Sequence, residues 1–182
     1  MNDLSLYLLD LVQNSLSANA TRVDIVIEEA IESNQLRMTI TDNGDGMDEL
    51  QLKKTVDPFY TTRTSRAVGL GIPFIKMACE LADGSFEITS QKNMGTKLIA
   101  TFDYYHINTP PLGNLEESVY PLLIHPQLSE LTYMHVYHQT SFKLEKSTIM
   151  KLLDGVPMTE GVIMQYLITY IKESIAQLRR LP

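Results

Sequence analysis

The chain has one cysteine, Cys79, in 182 residues, so no disulfide can form within it. That cysteine falls in a helical apolar pattern and reads as a buried structural thiol. No apolar run approaches membrane-spanning length, which argues against a membrane protein. The N-terminus carries Asp3 and no basic segment ahead of an apolar core, so a secretory signal is not expected, and the cytoplasm is the expected compartment. Positive charge is also scarce. With 15 Lys and Arg against 22 Asp and Glu, the net charge of -7 argues against a surface that coats nucleic acid. The four histidines, His106, His125, His135 and His138, all lie in the C-terminal part. His135 and His138 are an odd number of residues apart on a predicted strand and face opposite ways, which is poor geometry for a shared metal. There is no internal repeat and no low-complexity segment.

What is present suffices for a core. An apolar fraction of 44% is ordinary for a soluble globular chain, and the length fits one domain or one domain with a smaller appendage. Residues 4–18 read as an amphipathic helix with Leu4, Leu8, Leu11, Val12 and Leu16 on one stripe and Asp10 and Asn14 off it. Alternation over 22–28 and 36–42, around a polar Glu32-Ser33-Asn34-Gln35 stretch, predicts an antiparallel hairpin. Asp48 can cap a short helix. Residues 57–68 read as a loop, and Gly71 before Pro73 suits the start of a helix running to about Ala82. Two alternating segments, 85–91 and 96–102, flank an Asn93-Met94-Gly95 turn. Residues 108–114 are the best linker. Beyond it the pattern predicts a helix near 115–124, strands near 131–138 and 141–145, a short helix capped by Ser147, and a long final helix. Tyr133, Tyr137, Tyr166 and Tyr170 are spaced as core contacts.

Three short motifs carry possible chemistry. Asp10 and Asn14 stand one helical turn apart, so their side chains point the same way. An amide oxygen there suits Mg²⁺ and a carboxylate one turn earlier suits a general base, although such a pair can equally be a solvated face. Asp42 ends an apolar strand and precedes Gly44, Gly46 and Met47. An acceptor-only carboxylate at a pocket floor can read the amine of adenine, and glycines let the backbone approach a ring. The same sequence also makes a tight turn, and a calcium loop would need ligands after Gly46 that are missing. Gly69-Leu70-Gly71 before a helix can offer N–H groups to phosphates, with Arg63 and Arg66 in the preceding loop.

Taken together and in this order, residues 4–103 resemble the superfamily that joins DNA gyrase, heat-shock chaperone, histidine-kinase and mismatch-repair ATPases. Residues 9–25 resemble the mismatch-repair form of the first motif. Asp57-Pro58-Phe59-Tyr60-Thr61-Thr62, Gly69-Leu70-Gly71-Ile72 and Gly95-Thr96 resemble histidine kinases with a short ATP lid. The resemblance implies an α/β fold, a two-layer α/β sandwich of Bergerat type: a mixed, mostly antiparallel sheet with helices on one face. The strand and helix pattern beyond residue 114 adds a C-terminal α+β extension. The resemblance implies an ATP-binding domain over 1–105, and the pattern after the linker makes 115–182 an extension of unknown role. Asn14 would then coordinate Mg²⁺ and Asp10 would be the catalytic base. Asp42 would bind the adenine amine, with Gly44, Gly46 and Met47 around the base and Thr96 assisting through water. Residues 61–68, including Thr61, Thr62 and Arg63, would form the lid, and Gly69, Leu70 and Gly71 would meet the phosphates.

Three departures qualify what the resemblance implies. Asp10 stands where hydrolysing members usually carry Glu. Ala67-Val68 replaces the usual Gly-Thr. The first motif opens the chain, with no phosphoacceptor His pattern ahead of it. The expectation is therefore a Mg-ATP-binding regulator without its own acceptor domain, which phosphorylates or conformationally regulates a separate protein. The alternatives are an ATP-hydrolysing dimer clamp and a non-catalytic adenylate sensor. The final helix makes a homodimer plausible.

Overall fold

The computed structural model describes residues 3–56 and 71–180. The chain runs α1 (Leu4–Ser17), β1 (Arg22–Ala30), a 3-10 turn (Ile31–Ser33), β2 (Gln35–Asp42), α2 (Glu49–Thr55), α3 (Gly71–Leu81), β3 (Ser85–Gln91) and β4 (Gly95–Asp103). It continues with α4 (Leu115–Leu123), β5 (Glu130–Tyr137), β6 (Thr140–Glu145), α5 (Lys146–Leu153) and α6 (Gly161–Leu178). The six strands of the described residues form one sheet in the order β3-β4-β2-β1-β5-β6. The β1–β5 junction is parallel and the other four are antiparallel, so the sheet is mixed and mostly antiparallel. Residues after 114 thus extend the same sheet by two strands.

Register explains the core. Residues facing one another across the sheet form transverse rows, because successive side chains alternate between faces. One inward row is Ile88, Leu98, Ile40, Ile25, Tyr133 and Leu144; the next is Phe86, Ala100, Met38, Ile27, His135 and Phe142. On the other face of β1, Asp24, Val26 and Glu28 are only partly covered. The helices close the inward face: α1 buries Leu4, Leu8, Leu11, Val12 and Leu16, while α3 buries Ile72, Ile75 and Cys79. Each such side chain contributes about 1.5–3 kcal/mol through removal from water.

Local signals set the ends. Asp3 caps α1, its Oδ1 accepting the Leu6 N–H at 3.0 Å. Asp48 and Gln51 form a reciprocal capping box at α2. Ser147 is not the cap of α5: β6 runs straight into the helix at Glu145, and Ser147 lies inside it, its N–H donating to Glu130 Oε1 at 3.2 Å. Among the tyrosines, Tyr133 is fully buried, but Tyr166 and Tyr170 stack on each other at the surface, 64% and 42% exposed. One helical turn brings those two rings together on the face of α6 that adjoins the buried one of Leu167 and Ile171, with Tyr170 also edge-on to Phe142 at 5.5 Å. Among the described residues, no helix is long and apolar enough to cross a membrane.

Candidate functional site

At one end of the sheet the inward rows turn polar. Ser90, Thr96 and Asp42 are successive register partners across β3, β4 and β2 and therefore share a face, next to the apolar row of Ile88, Leu98 and Ile40. Asp42 is held at both oxygens. Its Oδ1 accepts the Gly44 N–H at 2.9 Å and the Thr96 N–H at 3.2 Å, and its Oδ2 accepts the Ser15 hydroxyl at 2.7 Å. A carboxylate oxygen has two lone pairs, so Oδ2 keeps capacity for one more donor.

The loop after Asp42 is built as a tight turn and as a pocket wall at once. Asn43 Oδ1 accepts the Thr21 and Arg22 N–H groups at 2.9 and 2.8 Å, fixing the loop to the start of β1. The Asp45 N–H donates to the Ala18 carbonyl at 2.7 Å, and Asn19 Nδ2 donates to Asp45 Oδ2 at 2.6 Å. A Cβ at Gly44 would stand 2.6 Å from the Ala18 oxygen. Gly46 has φ +63°, and a Cβ there would run into the Gln91 carbonyl. In this structure the close approach that these glycines permit is to the protein's own backbone. Met47 closes the loop: its N–H donates to Ser90 Oγ at 2.8 Å and its sulfur accepts the Thr55 hydroxyl at 3.2 Å.

Asp10 and Asn14 lie on α1 one turn apart, both half-buried rather than on a solvated face. Among the described residues, Asp10 Oδ2 and Asn14 Nδ2 are the buried side-chain polar atoms with no hydrogen-bond partner. A buried group left unpaired costs about 1–3 kcal/mol, so such atoms need a reason. Gly71, the first residue of α3, sits against the Asp10 carboxylate so closely that a Cβ would collide with it. Asp10 therefore faces the start of α3. Turning the Asn14 amide exchanges Nδ2 with Oδ1 and presents an oxygen at the same place, so the donor set suits a hard cation. Thr61, Thr62, Arg63, Gly69 and Leu70 lie outside the described residues.

A second polar centre occupies the opposite end of the sheet, and neither periodicity nor motif had singled it out. The buried Glu29 of β1 accepts from Nε and Nη2 of Arg179, pairs with His135 Nε2 at 2.8 Å and accepts the Tyr104 hydroxyl at 3.0 Å. Tyr133 OH meets His135 Nδ1 at 2.9 Å. Burial alone would push the Glu29 carboxyl up; the hydrogen bonds from His135 and Arg179 outweigh it and hold the group at about 2. Burial raises the Tyr133 hydroxyl, with the Glu29 charge adding to the effect. His135 is fully buried with both ring nitrogens engaged, which leaves neither free to take a phosphoryl group.

Ser15 and Ser90 were also missed. The only signal for Ser15 was its place on the buried stripe of α1, one residue after Asn14. For Ser90 it was the hairpin register that sets it opposite Thr96.

Known proteins resemble this chain in sequence and in fold. Residues 2–106 match the family of histidine kinase-, DNA gyrase B- and HSP90-like ATPases, which is more than half of the chain. The chain belongs to that family. A protein of Shewanella frigidimarina described as a sensor is 34% identical over 97 residues, 52% of this chain and 15% of its own length. Sporulation kinase E of Bacillus subtilis is 27% identical over 117 residues, 64% of this chain and 15% of that kinase. The heme sensor protein HssS of Staphylococcus saprophyticus is 30% identical over 96 residues, 51% of this chain and 20% of that protein. The matches thus span a fifth or less of these relatives. In fold, the chain is similar to the crystal structure of the N-terminal domain of a DNA repair protein. The TM-score is 0.51 at 15% identity, over 80% of this chain and 52% of that one. That share is larger than residues 2–106 alone can supply, so the likeness reaches into the strands and helices that follow.

Proposed function

We propose that this chain binds Mg-ATP and uses it to regulate a separate protein in the cytoplasm, by phosphoryl transfer to that protein or by changing its contacts with it. The observation that carries this reading is the pairing of two features on one family scaffold. One is a carboxylate, Asp42, held by three donors at a sheet end; the other is the unpartnered Asp10 and Asn14 atoms one turn apart on α1, with Asp10 against the start of α3. Asp42 accepts the exocyclic amine of adenine, with Gly44, Gly46 and Met47 along the base and Thr96 assisting through water. Asn14 holds the metal. Thr61, Thr62 and Arg63 serve the lid, and Gly69, Leu70 and Gly71 serve the phosphates, on the strength of their sequence pattern. Mg²⁺ supplies charge neutralisation of the phosphates when bound. The names of relatives such as sporulation kinase E support the regulatory half of the proposal.

A second reading, an ATP-hydrolysing clamp, draws on one feature. Asp10 Oδ2 has no protein partner among the described residues and is free to take a proton from water.

The test of the metal-nucleotide assignment is titration calorimetry of ATP with Mg²⁺ and with EDTA, on the wild type and on Asn14→Ala. Binding that weakens about tenfold or more without Mg²⁺, and a variant that has lost this dependence, are the expected results. Equal affinity with and without the metal would remove Asn14 from its role.

A further inference from the structure

We propose that the cleft between the start of α4 and the C-terminal half of α6 binds a small ω-amino acid, whose ammonium meets Glu116 and whose carboxylate meets Arg179. The cleft lies at the sheet end opposite Asp42 and shares no residue with the proposed nucleotide site.

Two segments form its walls. Residues 112–116 make one, and Lys172, Ile175, Ala176 and Arg179 of α6 make the other, around a space of about 270 Å³. Offsets of three, four and seven residues put those four side chains on one stripe of the helix. Leu112, Leu115, Ile175 and Ala176 are apolar, and three charged groups stand among them, which is how small-molecule sites are built. The wall before α4 is anchored: the Pro111 and Leu112 carbonyls accept the Leu4 and Ser5 N–H groups of α1 at 2.8 and 3.0 Å.

Arg179 is the fixed end of the cleft. Its Nε and Nη2 donate to Glu29, which holds the guanidinium in place and leaves Nη1 outside that pair. Glu116 is the under-satisfied end. Its side chain is only 13% exposed, yet its one partner among the described residues is Lys172 Nζ at 3.9 Å, beyond hydrogen-bond length. Lys172 is 69% exposed and gains little from that contact. A largely covered carboxylate without a hydrogen bond suits a donor that brings positive charge with it. The fixed charges also sum to zero, Lys172 and Arg179 against Glu116 and the Glu29 behind the guanidinium. A zwitterion keeps that balance, whereas a dianion or a simple amine leaves a charge uncompensated. Spacing sets the ligand's length. Residues 172 and 179 lie about 10.5 Å apart along a helix, and a hydrogen bond of about 2.9 Å at each end leaves about 5 Å. That is the separation of ammonium and carboxylate in an ω-amino acid of about four or five carbons; an α-amino acid carries its two charges too close together to reach both ends.

Calorimetry on the full chain with 4-aminobutanoate, its isomer L-2-aminobutanoate, butanoate and butylamine tests this, on the wild type, Glu116→Gln and Lys172→Ala. The wild type is expected to bind 4-aminobutanoate saturably and at least about tenfold more tightly than the other three compounds. Glu116→Gln is expected to bring 4-aminobutanoate down to the level of butanoate. Lys172→Ala removes an exposed competitor for Glu116 and is expected to tighten 4-aminobutanoate several-fold, so the inference stays testable if Glu116→Gln does not fold. No saturable binding of 4-aminobutanoate by the wild type, equal binding of its isomer, or a folded Glu116→Gln that keeps the wild-type preference overturns it. So does a Lys172→Ala that weakens 4-aminobutanoate, which would make the cleft a site for anions alone.

Discussion

Glu29 and Arg179 meet across 150 residues of sequence in a two-point ion pair that joins the first strand of the sheet to the end of the last helix. Because the folded Glu29 carboxyl is held at about 2, below its ordinary 4.5, it favours the folded state fully above pH 4.5. That contribution is lost as the pH falls from there toward 2. Arg179→Ala is expected to cost about 1–2 kcal/mol at pH 7, less than a fully buried pair because the guanidinium is partly exposed. Urea unfolding at pH 7 and pH 3 checks the sign. The gap between wild type and variant should shrink at pH 3, and an equal gap at both would refute the linkage.

Cys79 provides a probe of the packing between α3 and the sheet. Burial pushes its thiol up to about 12, and the side chain is fully covered. A thiol kept protonated and covered does not react, so a disulfide reagent at pH 8 should leave the native protein unlabelled and label it stoichiometrically in denaturant. Rapid native labelling would mean that α3 leaves the sheet readily.

Gly46 joins the base-side loop to the β3–β4 turn with no room for a side chain. Gly46→Ala combines a collision with the Gln91 carbonyl and a positive φ, for an expected loss of about 1–3 kcal/mol seen in thermal unfolding. Gly155, also at positive φ but with open space around it, makes the control: Gly155→Ala should cost less. Similar losses at both sites would show that backbone conformation, not the Gln91 contact, governs the loop.

Much of this arrangement was legible in the sequence because it rests on period and on local chemistry. The Leu4 to Leu16 stripe fixed α1, the 22–28 and 36–42 alternation fixed the first hairpin, and Asp48 fixed a cap. Asp10 and Asn14 could be placed together because one helical turn separates them. Glu29 could not be read, since alternation puts an acid in an inward position and the partners that justify it lie 106 and 150 residues away. Ser90 was hidden for a related reason: its role comes from three neighbours on other segments, which no spacing within β3 reveals. Tyr166 and Tyr170 fell at helical spacing, which fixes that they share a face but not whether that face is covered.

Asp10 separates regulation by binding from regulation by turnover. If its unpartnered oxygen acts as a base, Asp10→Asn should lower ATP hydrolysis by about a hundredfold or more while ATP affinity changes little. Phosphate release and calorimetry on the same samples distinguish the two effects. Turnover that survives the substitution would take the base role away from Asp10.

The most direct test of the account is Mg-ATP calorimetry on the wild type beside Asp42→Asn, with circular dichroism to verify folding. The Asn amide would replace one acceptor by a donor at a place where Ser15, Gly44 and Thr96 all donate and where adenine would donate too. Saturable binding in the wild type and its loss in a folded Asp42→Asn is the predicted result. Undiminished binding in the variant, or none in the wild type, would contradict the claim that this sheet end is an adenine nucleotide pocket.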